Sequence, residues 1–238
     1  MTGLALITRP RADSDGLADQ LRQRGFEPLI EPLLDIVFLP GAKPEREGTQ
    51  GILATSANGV RALAVRLGDS LADWRDLPLW AVGDASAKAA RQAGFTRVAS
   101  ADGDVDSLAA LVAAEADPKK GRLLQAAATQ LAGDLAGQLG KSGFVIDKQV
   151  LYEARPAAAL SERTIAAIEQ GQMVLALFFS PRTAGLFVRL AGALNCAKVT
   201  AAALSPAVAA ALAGLDWKRV IIAERPRQDS LLAALDGV

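Results

Sequence analysis

Residues 51–67 read GILATSANGVRALAVRL. A short apolar run, Ile52-Leu53-Ala54, gives way to Thr55, Ser56, Ala57, Asn58 and Gly59, and a helical pattern starts at Val60. Strand, small polar turn, helix is the unit from which parallel α/β sheets are built. The unit recurs: LALIT precedes a helical pattern at 13–24, LWAV one near 84–93 and RVA one near 104–115. The chain therefore reads as α/β, with a parallel sheet and helices on both faces.

The second half repeats the first. LADQLRQRGFEPLIEPLLDI (17–36) resembles LAGDLAGQLGKSGFVIDKQVLYEA (131–154), and ILATSANGVRALAVRL (52–67) resembles LALFFSPRTAGLFVRL (175–190). WAVGDASAKAARQAGFTRVASADGDVDSLAAL (80–111) resembles AALSPAVAAALAGLDWKRVIIAERPRQDSLLAAL (202–235). Gly25 and Gly143 are 118 residues apart, Ser56 and Ser180 124, Ser107 and Ser230 123. An offset of that size fits a duplicated α/β domain and is too long for a solenoid repeat. The stretches after the two Gly-Phe turns, 27–40 and 145–156, each end in proline and read as crossovers between domains. The expected division is 1–36 plus 155–238 as a discontinuous first domain and 37–154 as the second, with linker strands near 30–39 and 148–156.

Composition narrows the chemistry. Of 238 residues, 51% are hydrophobic and 22% charged, enough for a sizeable core. Lys+Arg and Asp+Glu both number 26, so no basic field favours nucleic acid or anionic lipid. The absence of histidine excludes His-based triads, His general bases and His metal sites within the chain, and the single cysteine, Cys196, excludes an intrachain disulfide. The longest apolar run, Met173 to Phe179, is too short to span a bilayer. The apolar GLALIT is followed at once by Arg9, Pro10 and Arg11, the reverse of a signal peptide's order. The expectation is a cytoplasmic protein with no membrane or nucleic-acid partner and no metal.

In open α/β sheets ligands bind beyond the carboxyl ends of the strands, where helix N-termini point. The turns there are TRPRADS (8–14), TSANG (55–59), GDASA (83–87), ADGDVDS (101–107), SPRTAG (180–185), SPAVA (205–209) and ERPRQDS (224–230). Each helix start offers N–H groups and partial positive charge suited to a carboxylate or phosphate. Ser56 and Asn58 read equally as helix caps, and the same ambiguity attaches to Ser86, Ser107, Ser180 and Ser230. Arg9 and Arg182, beside prolines at strand ends, read as cleft residues or as surface ion pairs. Tyr152, the only tyrosine, reads as a hydrogen-bond donor facing the space between domains or as a residue packed on a strand. No P-loop, G-x-G-x-x-G or G-x-S-x-G motif follows a strand.

Taken in order and spacing, ITRP (7–10), TSANGVRAL (55–63), AVGDASAKAARQAGF (81–95), Gly103-Asp104 with Leu108, VLYE (150–153), FFSPRTAGLF (178–187) and SPAVAAAL (205–212) resemble the uroporphyrinogen-III synthases over nearly the whole chain. The resemblance implies two similar flavodoxin-like α/β domains joined by a two-stranded linker, the first discontinuous. It implies an enzyme that takes hydroxymethylbilane, a linear tetrapyrrole with eight carboxylates, loses water, inverts the last pyrrole ring and closes the macrocycle without metal or cofactor. On this resemblance Tyr152 assists loss of the hydroxyl or positions it, and Ser56 and Asn58 contact substrate carboxylates, as do Thr8, Arg9, Ser86 and Ser180. Replacing Ser56 and Asn58 by alanine is then expected to raise KM. The expected assembly is a monomer in transient contact with the preceding pathway enzyme. Two departures stand out. Gln125-Ala126 replaces an Arg-Gly pair, and Ser205-Pro206-Ala207-Val208 replaces Gly-Pro-Thr-Thr. They motivate the alternative of a catalytically silent two-domain polyanion binder.

Overall fold

The computed structural model describes residues 3–130 and 133–236, so Leu131 and Ala132, which open one repeat block, lie outside the described residues. The chain divides into two units, Met1–Asp35 with Arg155–Val238, and Ile36–Ala154. Each unit is an α/β layer built on a largely parallel sheet.

The first unit opens with β1 (Leu4–Ile7), α1 (Asp15–Gln23) and β2 (Glu27–Ile30). It resumes with α6 (Glu162–Glu169), β9 (Met173–Phe178), α7 (Pro181–Ala191), β10 (Thr200–Ala203), α8 (Pro206–Ala210), β11 (Arg219–Ile222) and α9 (Gln228–Ala233). Its sheet runs β11-β10-β9-β1-β2, all pairs parallel. The second unit holds β4 (Thr49–Ala54), α2 (Ala57–Leu67), β5 (Pro78–Ala81), α3 (Asp84–Gln92), β6 (Arg97–Ser100), α4 (Val105–Glu115), β7 (Arg122–Ala128) and α5 (Leu135–Lys141). Its sheet runs β3-β8-β7-β4-β5-β6, where β3 (Leu34–Phe38) and β8 (Ile146–Pro156) are the strands on which the chain enters and leaves. The stretch 27–40, read from sequence as one extended segment, is therefore two strands in two sheets, broken at Glu31-Pro32-Leu33. Pro28 is tolerated because β2 is an edge strand.

The central strands read as continuous apolar runs because both of their faces are covered. Ala5 and Ile7 of β1 join α1 and α9 in one core, while Leu6 joins α6, α7 and α8 in another. In the second unit Ile52 and Ala54 face α2 and α3, and Leu53 faces α4 and α5. Each fully buried Leu or Ile side chain contributes about 1.5–3 kcal/mol. The repeated Gly-Phe pairs end helices. Gly25 and Gly143 take the left-handed conformation (φ 83 and 84), and the N–H of the following Phe26 or Phe144 returns to the carbonyl of Leu21 or Leu139. Among the described residues, no helix is long and apolar enough to cross a membrane.

Candidate functional site

In the second unit the carboxyl end of β4 delivers Ser56 to the head of α2. Ser56 is extended (φ −158, ψ 153), and its Oγ accepts from the N–H of Gly59 at 3.1 Å, an N-cap worth about 1 kcal/mol. The helix start lies close on β7: a Cβ built on Gly59 would stand 2.8 Å from the Ala126 carbonyl oxygen. Glycine at 59 is what lets the helix head seat there.

Tyr152 reaches the same place from β8. Asp147 and Gln149 pair with Leu124 and Ala126, residues that face α2, and strict alternation would then turn Tyr152 to the opposite face. The register shifts between Ala127 and Ala128, so that Ala127 pairs with Val150 and Ala128 with Tyr152, leaving Leu151 as the extra residue of a bulge. Leu151 and Tyr152 consequently both enter the core on the α2 side. The phenol oxygen stands 2.7 Å from Ser56 Oγ, and Tyr152 is only 7% exposed. Asn58, half-buried in the first turn of α2, accepts from Arg61 at 2.8 Å. Ser86 lies inside the first turn of α3, buried, with its N–H bonded to the Gly83 carbonyl.

In the first unit Thr8 follows β1. It is fully buried, and its hydroxyl donates to the Leu177 carbonyl at 2.8 Å, tying β1 to β9. Arg9 emerges next. Its guanidinium lies 4.3 Å from the Phe179 ring centroid and donates to Gln228 Oε1 at 2.7 Å, while Gln228 in turn donates to Gln20. Phe179 precedes Ser180, so Arg9 and the head of α7 share one end of the sheet. Ser180 caps α7 by accepting from the Thr183 N–H at 3.1 Å, and its hydroxyl lies 2.9 Å from Thr183 Oγ1, which donates to the Ser180 carbonyl.

Of the seven residues to which the resemblance gives a role, the fold thus brings together Tyr152, Ser56 and Asn58 in one unit and Arg9 and Ser180 in the other. Thr8 and Ser86 are enclosed. The partnership of Tyr152 with Ser56 is invisible in the sequence spacing. Its signal is the apolar run Val150-Leu151-Tyr152, which breaks the alternation of β8 at the bulge.

Of the residues that depart from the family pattern, Ala126 belongs to this turn, its carbonyl oxygen lying under Gly59, and the others sit elsewhere. Gln125 alternates to the α4 and α5 side of β7, where it is buried with no hydrogen-bond partner for Oε1. Val208 packs into the first unit's core. Two carboxylates hold their protons less tightly than usual. Asp104 caps α4, and the backbone N–H and hydroxyl of Ser107 push its pKa down; the N–H of Ser230, with Arg227, does the same for Asp229 at α9. Burial raises the Cys196 thiol to about 11. A surface groove of about 620 Å³ at the opposite end of the second unit's sheet is lined by Lys43, Arg66, Arg122 and Asp147 and takes no part in the Tyr152 turn. Among the described residues, no group of three His, Cys, Asp or Glu side chains converges as a metal site.

A family model described as uroporphyrinogen-III synthase HemD matches residues 15–233. A curated relative, the porphyrin biosynthesis protein HemD of Ruminiclostridium josui, is 25% identical over 239 residues, covering 97% of this chain and 47% of its own length. The chain thus spans about half of that relative. Among solved structures, uroporphyrinogen-III synthetase from Helicobacter pylori has 18% identity and a TM-score of 0.65, with 98% of this chain and 97% of that one covered. A mutant uroporphyrinogen III synthase from Thermus thermophilus has 22% identity and a TM-score of 0.57, with 100% and 97% covered. At those identities the two structures bear on fold alone.

Proposed function

The chain belongs to the uroporphyrinogen-III synthase family, and from that premise we propose that it closes hydroxymethylbilane to uroporphyrinogen III, inverting ring D and releasing water, in the cytoplasm, as a monomer and without metal or cofactor. The observation that carries the reading is the phenol of Tyr152 held 2.7 Å from Ser56 at the head of a helix. Loss of the substrate hydroxyl needs a proton at the departing oxygen, and a phenol supplies one. The pyrrole nitrogen supplies the electrons, so the chemistry asks for no histidine.

The rest of the work is binding and orientation. Eight carboxylates call for many modest donors. Each helix N-terminus contributes about 0.3–1 kcal/mol when exposed, so several act together. The first turn of α2 with Asn58, the first turn of α7 capped by Ser180, and the Arg9 guanidinium are the proposed carboxylate contacts. Thr8 and Ser86, being buried, serve by shaping the turns they sit in. A transient contact with the preceding pathway enzyme would shield an unstable substrate from spontaneous closure.

Product isomer analysis tests the reading. Purified protein given fresh hydroxymethylbilane is expected to yield the type III isomer, whereas uncatalysed closure gives type I. Type I alone, at the spontaneous rate, would remove the catalytic reading and leave the silent binder.

A further inference from the structure

The two duplicated serine caps are wired differently. At the head of α7, Ser180 turns inward: its hydroxyl pairs with Thr183, three residues on, whose own hydroxyl donates to the Ser180 carbonyl. At the head of α2 the residue three on is Gly59, which has no side chain to offer, and a Cβ there would crowd the Ala126 carbonyl oxygen at 2.8 Å. Ser56 therefore pairs across the fold with Tyr152, 96 residues away. Its oxygen still accepts from the Gly59 N–H. The chain of bonds runs from the positive end of α2, through the Ser56 hydroxyl, to the phenol oxygen.

We propose that Ser56 is a positioning residue that acts through Tyr152 rather than a ligand of substrate carboxylates. The inference rests on the catalytic reading above. In that step the bond between the hydroxymethyl carbon and its oxygen breaks, and the electron pair goes to the oxygen. The Tyr152 proton joins that oxygen and water leaves, while the pyrrole nitrogen lone pair fills the carbon. Tyr152 remains as phenolate until the proton released from the pyrrole ring after the new carbon–carbon bond forms returns to it. Ser56 donates its hydroxyl proton to the phenolate, and the Gly59 N–H polarises that hydroxyl. A hydrogen bond to a charged group is worth about 1.5–3 kcal/mol, which corresponds to a rate factor on the order of 10–100.

Because Tyr152 is the only tyrosine, protein labelled with ¹³C at tyrosine Cζ gives a single tyrosine resonance, and its titration needs no substrate. In Ser56→Ala the titration midpoint is expected to move to higher pH, and Ser56→Thr, which restores the hydroxyl, to bring it back. At neutral pH the resonance itself is expected to shift with loss of the bond. Ser180→Ala removes the matching cap from α7 and is expected to leave the Tyr152 resonance where it was. In turnover, Ser56→Ala is expected to lower kcat by about 10–100-fold with KM little changed, and Ser56→Thr to recover most of it. A Tyr152 resonance and midpoint indifferent to Ser56→Ala would overturn the proposal, as would a raised KM at unchanged kcat. If the unsubstituted protein makes no type III product, the catalytic reading has failed on its own, and the resonance still decides whether Ser56 governs Tyr152.

Discussion

Replacing Gly59 by alanine tests how α2 is seated. The added Cβ would stand 2.8 Å from the Ala126 carbonyl oxygen and 3.5 Å from the Ala126 carbonyl carbon and Cβ. Carbon–oxygen contacts settle nearer about 3.3–3.6 Å, and the obstacle is backbone inside a parallel ladder, so the helix must lift by roughly half an ångström. Overpacking of that kind costs about 1–3 kcal/mol, against a gain of up to about 1 kcal/mol in helix propensity. The net expectation is a loss of about 1 kcal/mol, which for a chain of this size lowers Tm by about 2–4 °C. Gly185, inside α7, is the control: nothing lies within 4 Å of its added Cβ, so Gly185→Ala should gain about 1 kcal/mol. Urea unfolding followed by circular dichroism compares the two. Opposite signs are expected, and Gly59→Ala should also lower turnover because the lifted helix carries Ser56 away from Tyr152. Equal stabilisation by both substitutions would refute the close seating of α2 on β7.

Tyr152→Phe should lower kcat by at least about tenfold, since general-acid contributions run to about 10²–10⁴-fold; single-turnover formation of type III product measures it, and unchanged turnover would reduce Tyr152 to packing. The Asp104 carboxyl is held low by the Ser107 N–H and hydroxyl. A depressed carboxyl stabilises the fold above its unfolded pKa and loses that contribution as pH falls through the folded value. Asp104→Asn, which caps without titrating, should match the parent at neutral pH and lose less stability below about pH 4, read from urea midpoints across pH. Cys196 is 1% exposed with its thiol raised to about 11, so it should resist iodoacetamide in the native state at pH 8 and react once urea unfolds the first unit.

The parallel α/β architecture was legible because strands buried on both faces must be continuously apolar, and the helices between them carry their own period. Helix heads were legible for a local reason: Ser56, Asp104, Ser180 and Ser205 each accept from the N–H three residues on. The break at Glu31 was not. The run 27–40 looks uniformly extended, yet Glu31 is a buried carboxylate taking bonds from the N–H of Ser161 and the hydroxyls of Ser161 and Thr164, which stops β2 and ties it to the head of α6. Those partners lie about 130 residues away, beyond any local pattern. The aim of Tyr152 was hidden for the same reason, since a bulge is settled by ladder register and not by composition.

The duplication explains why one turn came to hold a phenol and the other did not. With the extra edge strand β3 set aside, the sheets match strand for strand: β11-β10-β9-β1-β2 against β6-β5-β4-β7-β8. In sequence, however, β1 and β2 precede β4, β5 and β6, while β7 and β8 precede β9, β10 and β11. Each sheet is thus completed by the other repeat. Ser56 belongs to the first repeat and Tyr152 to the second, and only this exchange brings them together; Arg9 and Ser180 are brought to one sheet end in the same way. The corresponding ladder ends then show the divergence. Ile7, the last paired residue of β1, faces Ile30, whereas Ala128, the last of β7, faces Tyr152. Ile30 packs with α1 and α9 on the face away from α7, so the ladder end offers Ser180 no partner, and Thr183 takes that role. A tyrosine offers Ser56 one, and Gly59 leaves the position open for it. Copies that began alike would have separated into a cap closed on its own turn and a cap wired to a phenol. Because Ile30 lies on the face away from α7, Ile30→Tyr with Thr183→Gly should not by itself rebuild the second arrangement in the first unit. The added tyrosine gives a second Cζ resonance, and it is expected to be indifferent to Ser180→Ala. Sensitivity to Ser180→Ala would refute the reasoning, showing that the exchange of strands suffices without a bulge like the one at Leu151.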